Sequence, residues 1–134
     1  MNLSEICERY LDNADLCMVI NNFPKVVLDI TVQGKVDGKF WKVNIECDQV
    51  VFMELEADDD VAQNELFMVL DTEIFETTKS KVTPAVQHRF DSLADDDPVW
   101  SIKIFGGISI LLVTTKLNWK LVELSQKEYE AIYA

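Results

Sequence analysis

Leu3, Ile6, Cys7, Tyr10, Leu11 and Ala14 recur at spacings of three and four, which lays one apolar stripe along a short helix. Asn2 stands in the N-cap position, and Glu5, three residues on, supplies a carboxylate able to return to it. Asn13-Ala14-Asp15 reads as the end of that helix. Residues 16–20 fit either a further helical turn or a short strand. Asn21-Asn22-Phe23-Pro24 is a break in both cases, because proline disfavours helix at the residue before it.

From residue 25 the period changes from 3.6 to 2. Asp37-Gly38 is the dipeptide of a two-residue type I′ turn, so 25–47 is predicted to be a hairpin. Closing that turn pairs Val36 with Lys39 and predicts Val32 against Val43, Ile30 against Ile45 and Leu28 against Cys47. Gln33 then meets Lys42, Thr31 meets Asn44, and Gly34 lies opposite Trp41. The same register sets Asp29 against Glu46, a like-charge pair that argues against it.

Residues 50–57 and 65–77 read as two more strands, each apolar on both faces near its start, the pattern of a sheet covered on two sides. Thr83-Pro84 followed by Val86, Phe90 and Leu93 predicts a short helix over 84–93. Residues 99–105 and 108–115 flank Gly106-Gly107, a second hairpin signal that places Ile102 opposite Leu111 and Trp100 opposite Val113. A last strand is expected over 119–124. The capping box Ser125-Gln126-Lys127-Glu128 then opens a helix over 126–133 with Tyr129, Ile132 and Tyr133 on its apolar face. The sum is one α+β domain over 1–134. It has a twisted, largely antiparallel β-sheet of about six to seven strands, with hairpins at 37–38 and 106–107. An N-terminal helix and two short helices near 84–93 and 126–133 complete it.

Composition sharpens this picture. Hydrophobic residues are 49%, enough for a core without metal or disulfide. Cys7, Cys17 and Cys47 form no close pair and read as small buried side chains in a reducing compartment. The N-terminus lacks a basic run before an apolar one, and the most apolar stretch, 102–113, is interrupted by Lys103 and Gly106-Gly107. A cytoplasmic protein with no membrane association is expected. Twelve basic against 24 acidic residues give a net charge of −12, which disfavours nucleic acid, because phosphate neutralisation needs surplus lysine and arginine.

Chemistry-bearing motifs are few. His88, the single histidine, is expected on the solvent side of its helix, since Val86 and Phe90 take the inner side. No serine stands in a G-x-S-x-G elbow, and no glycine-rich stretch forms a phosphate loop. The triplets Asp58-Asp59-Asp60 and Asp95-Asp96-Asp97 lack the alternate spacing that wraps a loop around calcium. No metal or cofactor is expected. Glu54, Glu56, Asp71 and Glu73 are carboxylates among apolar neighbours and are the candidates for a carboxylate-based enzyme. A solvated strand face is the simpler account of them, and catalysis is not expected.

The informative feature is a distribution. From Glu46 to Glu76 there are eleven acidic residues and no lysine or arginine. Such a field accelerates encounter with a basic partner. Glu54, Glu56, Asp58, Asp59, Asp60 and Glu65 are the expected contacts. The expected function is a small acidic cytosolic protein-binding module, in its concrete form an immunity or inhibitor protein that neutralises a basic toxin or enzyme. One alternative is a ligand-binding or catalytic cavity protein with Trp41, Trp100, Trp119 and Met53 as liners. Another is an oligomeric structural subunit, joined through a strand edge or the Tyr129, Ile132, Tyr133 face. The pattern itself sets no oligomeric state.

Overall fold

The computed structural model describes residues 2–12, 14–57, 67–82 and 93–133. The stripe on the first turns becomes helix α1 (Leu3–Tyr10), capped by the Asn2 side chain, which accepts from the Glu5 amide at 2.9 Å. Six antiparallel strands follow among the described residues: β1 (Ala14–Asn22), β2 (Lys25–Val32), β3 (Phe40–Ala57), β4 (Phe67–Thr78), β5 (Pro98–Gly106) and β6 (Ile108–Leu124). A short 3-10 turn covers Lys79–Lys81, and helix α2 (Gln126–Ile132) closes the described chain. The sheet curls on itself in the order β1-β2-β3-β6-β5-β4, and β4 meets β1 again through Ala14–Val69, Asp15–Met68 and Leu16–Phe67. All of the expected helix over 84–93 except Leu93, His88 included, lies outside the described residues.

The ambiguous segment at 16–20 is strand, paired with β2 across the Phe23-Pro24 turn, whose peptide bond is cis. The Asp37-Gly38 turn forms as expected, with φ of 53° and 77° and Val36 bonded to Lys39 in both directions. Its register is corrected by two residues. Leu28 faces Ile45, Ile30 faces Val43 and Val26 faces Cys47. Gly34, at φ 71°, lies in the stretch between the end of β2 and the turn, where the extra residues leave the ladder. A shift of two keeps every side chain on its face. It also removes the Asp29–Glu46 clash: Asp29 now opposes Asn44, whose side-chain amide donates to it at 2.7 Å. Trp41 turns instead to the loop, donating from Nε1 to the Val36 carbonyl at 2.9 Å, with Tyr10 edge-on to its ring.

Two expected breaks are absent. β3 runs through 48–51 with a bulge, and β6 runs unbroken through 116–118. At the bulge Gln49 takes φ 58°, and the Val50 amide leaves the ladder to bond the Pro24 carbonyl at 2.8 Å. Thr114 holds the bulge from the partner strand by donating to the Asp48 carbonyl at 2.7 Å. The second hairpin is also corrected, by one residue. Ile102 pairs with Leu112, Ile104 with Ile110 and Trp100 with Thr114. The expected register would have set Lys103 against Ile110 and Ile104 against Ser109, mixing inward and outward side chains.

The inward faces are filled. Ile6, Leu11, Leu28, Ile30, Ile45, Ile102, Ile104 and Leu112 are each wholly or almost wholly buried. Trp41, Met53, Trp100 and Trp119 pack against this core, and Trp119 also borders a shallow surface hollow with Asn44, Glu46 and Lys120. A smaller cluster of Val82, Val99 and Val113 sits outside the sheet wall, where Leu93 helps cover it. Lys79 ties that cover down by donating to the Leu93 carbonyl at 2.7 Å. This explains the two-sided apolar pattern near the start of the 50–57 stretch, since Val51 and Phe52 border this outer cluster.

Cys7 and Cys47 are buried as expected, but Cys17 is half-exposed, its sulfur 2.9 Å from the Thr31 hydroxyl. Burial pushes the Cys7 thiol up to about 11 and the Cys47 thiol up to about 12, so both are neutral at ordinary pH. In the native protein a disulfide reagent should therefore modify Cys17 first. Cys7 and Cys47 should react only as fast as the chain opens. Three equal rates in an absorbance time course would contradict this packing.

Candidate partner-binding face

The long β3–β6 ribbon carries the candidate face. Period-two alternation puts Glu54 and Glu56 on one side of β3, both exposed, opposite Leu111 and Ser109 of β6. The next strand, β5, sets Lys103 beside Leu111, and Phe105 follows two residues on along the same face. These six residues line a shallow hollow of about 260 Å³ with an apolar floor and carboxylates along one wall. Phe105 is 48% exposed, an aromatic ring left in water at the rim. On the far side of β5, Glu73 opposes Lys103 and Asp71 opposes Phe105, so the outward row continues onto β4 with two more exposed carboxylates.

Of the expected contact residues, Glu54 and Glu56 come together on this face. Asp58, Asp59, Asp60 and Glu65 lie outside the described residues. Lys103 is an intrusion that the gap in basic residues between 46 and 76 did not foretell. It arrives from a distant part of the chain, and its amine leans over the Phe75 ring at 5.9 Å. No ion pair among the described residues joins it to a carboxylate.

Charge pairing is concentrated elsewhere. Arg9–Asp37, Lys25–Asp48 (3.9 Å), Lys39–Glu123 (3.5 Å) and Lys42–Asp29 (3.9 Å) all gather around the β2–β3 hairpin and the half of the ribbon beside it. There β6 brings Lys116 and Lys120 opposite Asp48 and Asn44. Beyond the bulge, none of the four ion pairs includes Glu54, Glu56, Asp71 or Glu73. The ribbon thus has one compensated half and one acidic half. Asp95-Asp96-Asp97 builds a turn: the Asp95 and Asp97 carbonyls accept from the Ser80 and Lys79 amides, and the Asp97 carboxylate accepts from the Ala94 amide.

The buried carboxylate of the described chain is Asp15, 6% exposed, and no sequence signal singled it out. It accepts from the Tyr133 hydroxyl at 2.7 Å and from the Gln33 side-chain amide at 3.0 Å. Tyr129 stacks on Phe40 at 4.0 Å, and its hydroxyl accepts from the Gly34 amide. Tyr129 of α2 and Tyr133 at its C-cap thus pack against the molecule's own wall, and Tyr133 stays 42% exposed. The capping box of α2 forms as expected, and the amide and hydroxyl of Ser125 hold the Glu128 carboxyl below its usual range.

No family model matches the chain, and neither a curated protein nor a solved structure is similar to it. Two adjacent carboxylates, an apolar floor and an exposed phenyl ring form a surface complementary to a cation carried on an apolar patch. Among the described residues no helix is long and apolar enough to cross a membrane.

Proposed function

We propose that the protein is a binding module that uses the Glu54–Glu56 side of its sheet to dock a basic protein surface. The observation that supports this most is the contrast along the β3–β6 ribbon: four ion pairs gather around one half, and the acidic carboxylates of the other take part in none. Uncompensated charge on one face costs folding stability through self-repulsion and contributes to attracting a partner of opposite sign. Glu54 and Glu56 attract lysine or arginine, Leu111 and Phe105 accept the apolar part, and Lys103 selects against a surface that is cationic everywhere. An immunity or inhibitor protein directed at a basic toxin or enzyme is the concrete form of this reading. Cytoplasmic residence and a role without catalysis belong to the same proposal.

Amide NMR with a panel of lysine- and arginine-bearing peptides tests it. Shifts should centre on Glu54–Glu56, Lys103–Phe105 and Ser109–Leu111 and fade with added salt. The double reversal Glu54→Lys/Glu56→Lys should abolish them, with little effect on stability because both side chains are exposed. Shifts spread evenly over the molecule, or unchanged by the reversal, would remove this face from consideration.

A further inference from the structure

β3 outruns one of its two neighbours. Its last pair with β2 is Cys47–Val26, and at the bulge the Val50 amide bonds the Pro24 carbonyl, in the turn that precedes β2. From there to Ala57 every pair of β3 is with β6. Among the described residues, then, no strand lies along the other edge of 52–57. A strand with a bare edge offers its row of amide N–H and carbonyl groups to another chain.

The side chains of the same stretch mark the same gap. Leu55 lies on the inward side, opposite buried Ile110, yet it is 47% exposed, with no neighbouring strand on its far side to cover it. Met53, also inward, is only partly buried. Glu54 and Glu56 alternate with them on the outward side, both exposed. The edge is therefore acidic on one face and apolar on the other.

Charged residues on an edge guard it against pairing with its own kind. Here the guard has a single sign. Two β3 edges laid together would set glutamates near glutamates across the strands, at a cost in stability, so a second copy of this chain is a poor occupant. A strand with lysine or arginine at alternate positions meets the same glutamates with opposite charge.

We propose that the partner docks by adding a strand to the 52–57 edge of β3, through an extended segment in which basic and apolar residues alternate. The inference rests on the reading of the Glu54–Glu56 side as a docking face, and it adds the form that the partner takes. Basic side chains lie outward beside Glu54 and Glu56, and apolar ones lie inward over Met53 and Leu55. The main chain completes the row of hydrogen bonds. Those bonds supply affinity, and the alternation fixes the register.

The test is a titration of the whole chain with a short capped peptide alternating lysine with valine, followed by amide NMR and hydrogen exchange. Binding should slow exchange at alternate amides within 52–57. In a strand the main-chain groups of alternate residues point to the same edge. Of two further peptides, one N-methylated at every valine and one at every lysine, one should therefore bind about tenfold more weakly or worse, and the other should bind as the parent does. Leu55→Ala should weaken the parent peptide by about threefold, since the apolar side of the added strand loses its contact. Equal binding of the parent and both methylated peptides, with shifts still centred on Glu54–Glu56, would overturn strand addition and leave the docking face standing. Failure of the parent peptide to bind at low salt would remove both.

Discussion

Ile102→Ala is expected to lower the unfolding free energy by about 2–5 kcal/mol, a large part of what holds a domain of this size together. Ile102 is fully buried, opposite Leu112 on β6 and Ile74 on β4, in the middle of the inward face of three consecutive strands. Truncation removes three carbons from a wall with no room to collapse, so a cavity cost adds to the transfer cost. Leu55 provides the control. Alternation places it on the same inward side of β3, opposite Ile110, yet it is 47% exposed near the end of its strand. Leu55→Ala should change stability by no more than about 0.5 kcal/mol. Urea unfolding of the two variants measures both values. Comparable losses would mean that the inward face is not filled where Ile102 sits.

Tyr133→Phe should destabilise the protein by about 1–2 kcal/mol at neutral pH and weaken the docking of α2. A hydrogen bond to a charged group contributes about 1.5–3 kcal/mol, and the partial exposure of Tyr133 reduces that figure by solvent screening. The lost bond is the one to Asp15, which is nearly buried and, among the described residues, keeps Gln33 as its side-chain donor. The pH dependence has a definite sign. Burial, and then the Asp15 carboxylate that accepts its proton, raise the Tyr133 phenol above its ordinary value of 10.0. The folded state therefore holds the proton more tightly than the unfolded state. The stabilisation is complete below pH 10 and is lost as pH rises beyond it. The gap in urea midpoint between wild type and Tyr133→Phe should be constant on the neutral side and should close at alkaline pH. A gap that widens there would contradict the assigned donor. Asp15→Asn should reduce the effect of Tyr133→Phe, because the bond would then end on a neutral acceptor.

Elements whose cause is local are legible in the sequence. Asn2, Asp37-Gly38 and Ser125 with Glu128 act within four residues of themselves, and each forms what its chemistry requires. Registers were harder, because a turn fixes pairing only until the first irregularity. The Asp29–Glu46 conflict is the legible sign that residues around Gly34, between the end of β2 and the turn, leave the ladder. The same sorting of inward and outward side chains, applied at Gly106-Gly107, would have rejected Lys103 against Ile110. The bulge at Gln49 imitates a strand end in sequence because its cause, the Pro24 carbonyl, lies far back along the chain. Glu54 and Glu56 were legible as a pair from alternation alone. Lys103 beside them and the Asp15–Tyr133 bond depend on tertiary placement, and no short pattern encodes them.

The uneven pairing of charge along the β3–β6 ribbon has a consequence before any contact is made. A body whose ends differ in electrical character feels a torque in the field of an approaching cation, and it turns its unneutralised end forward while still nanometres away. Collisions then begin in the right attitude, and a larger share of them become complexes. Because a Debye length of about 8 Å at physiological ionic strength shortens the reach of that torque, salt should slow arrival far more than it hastens departure.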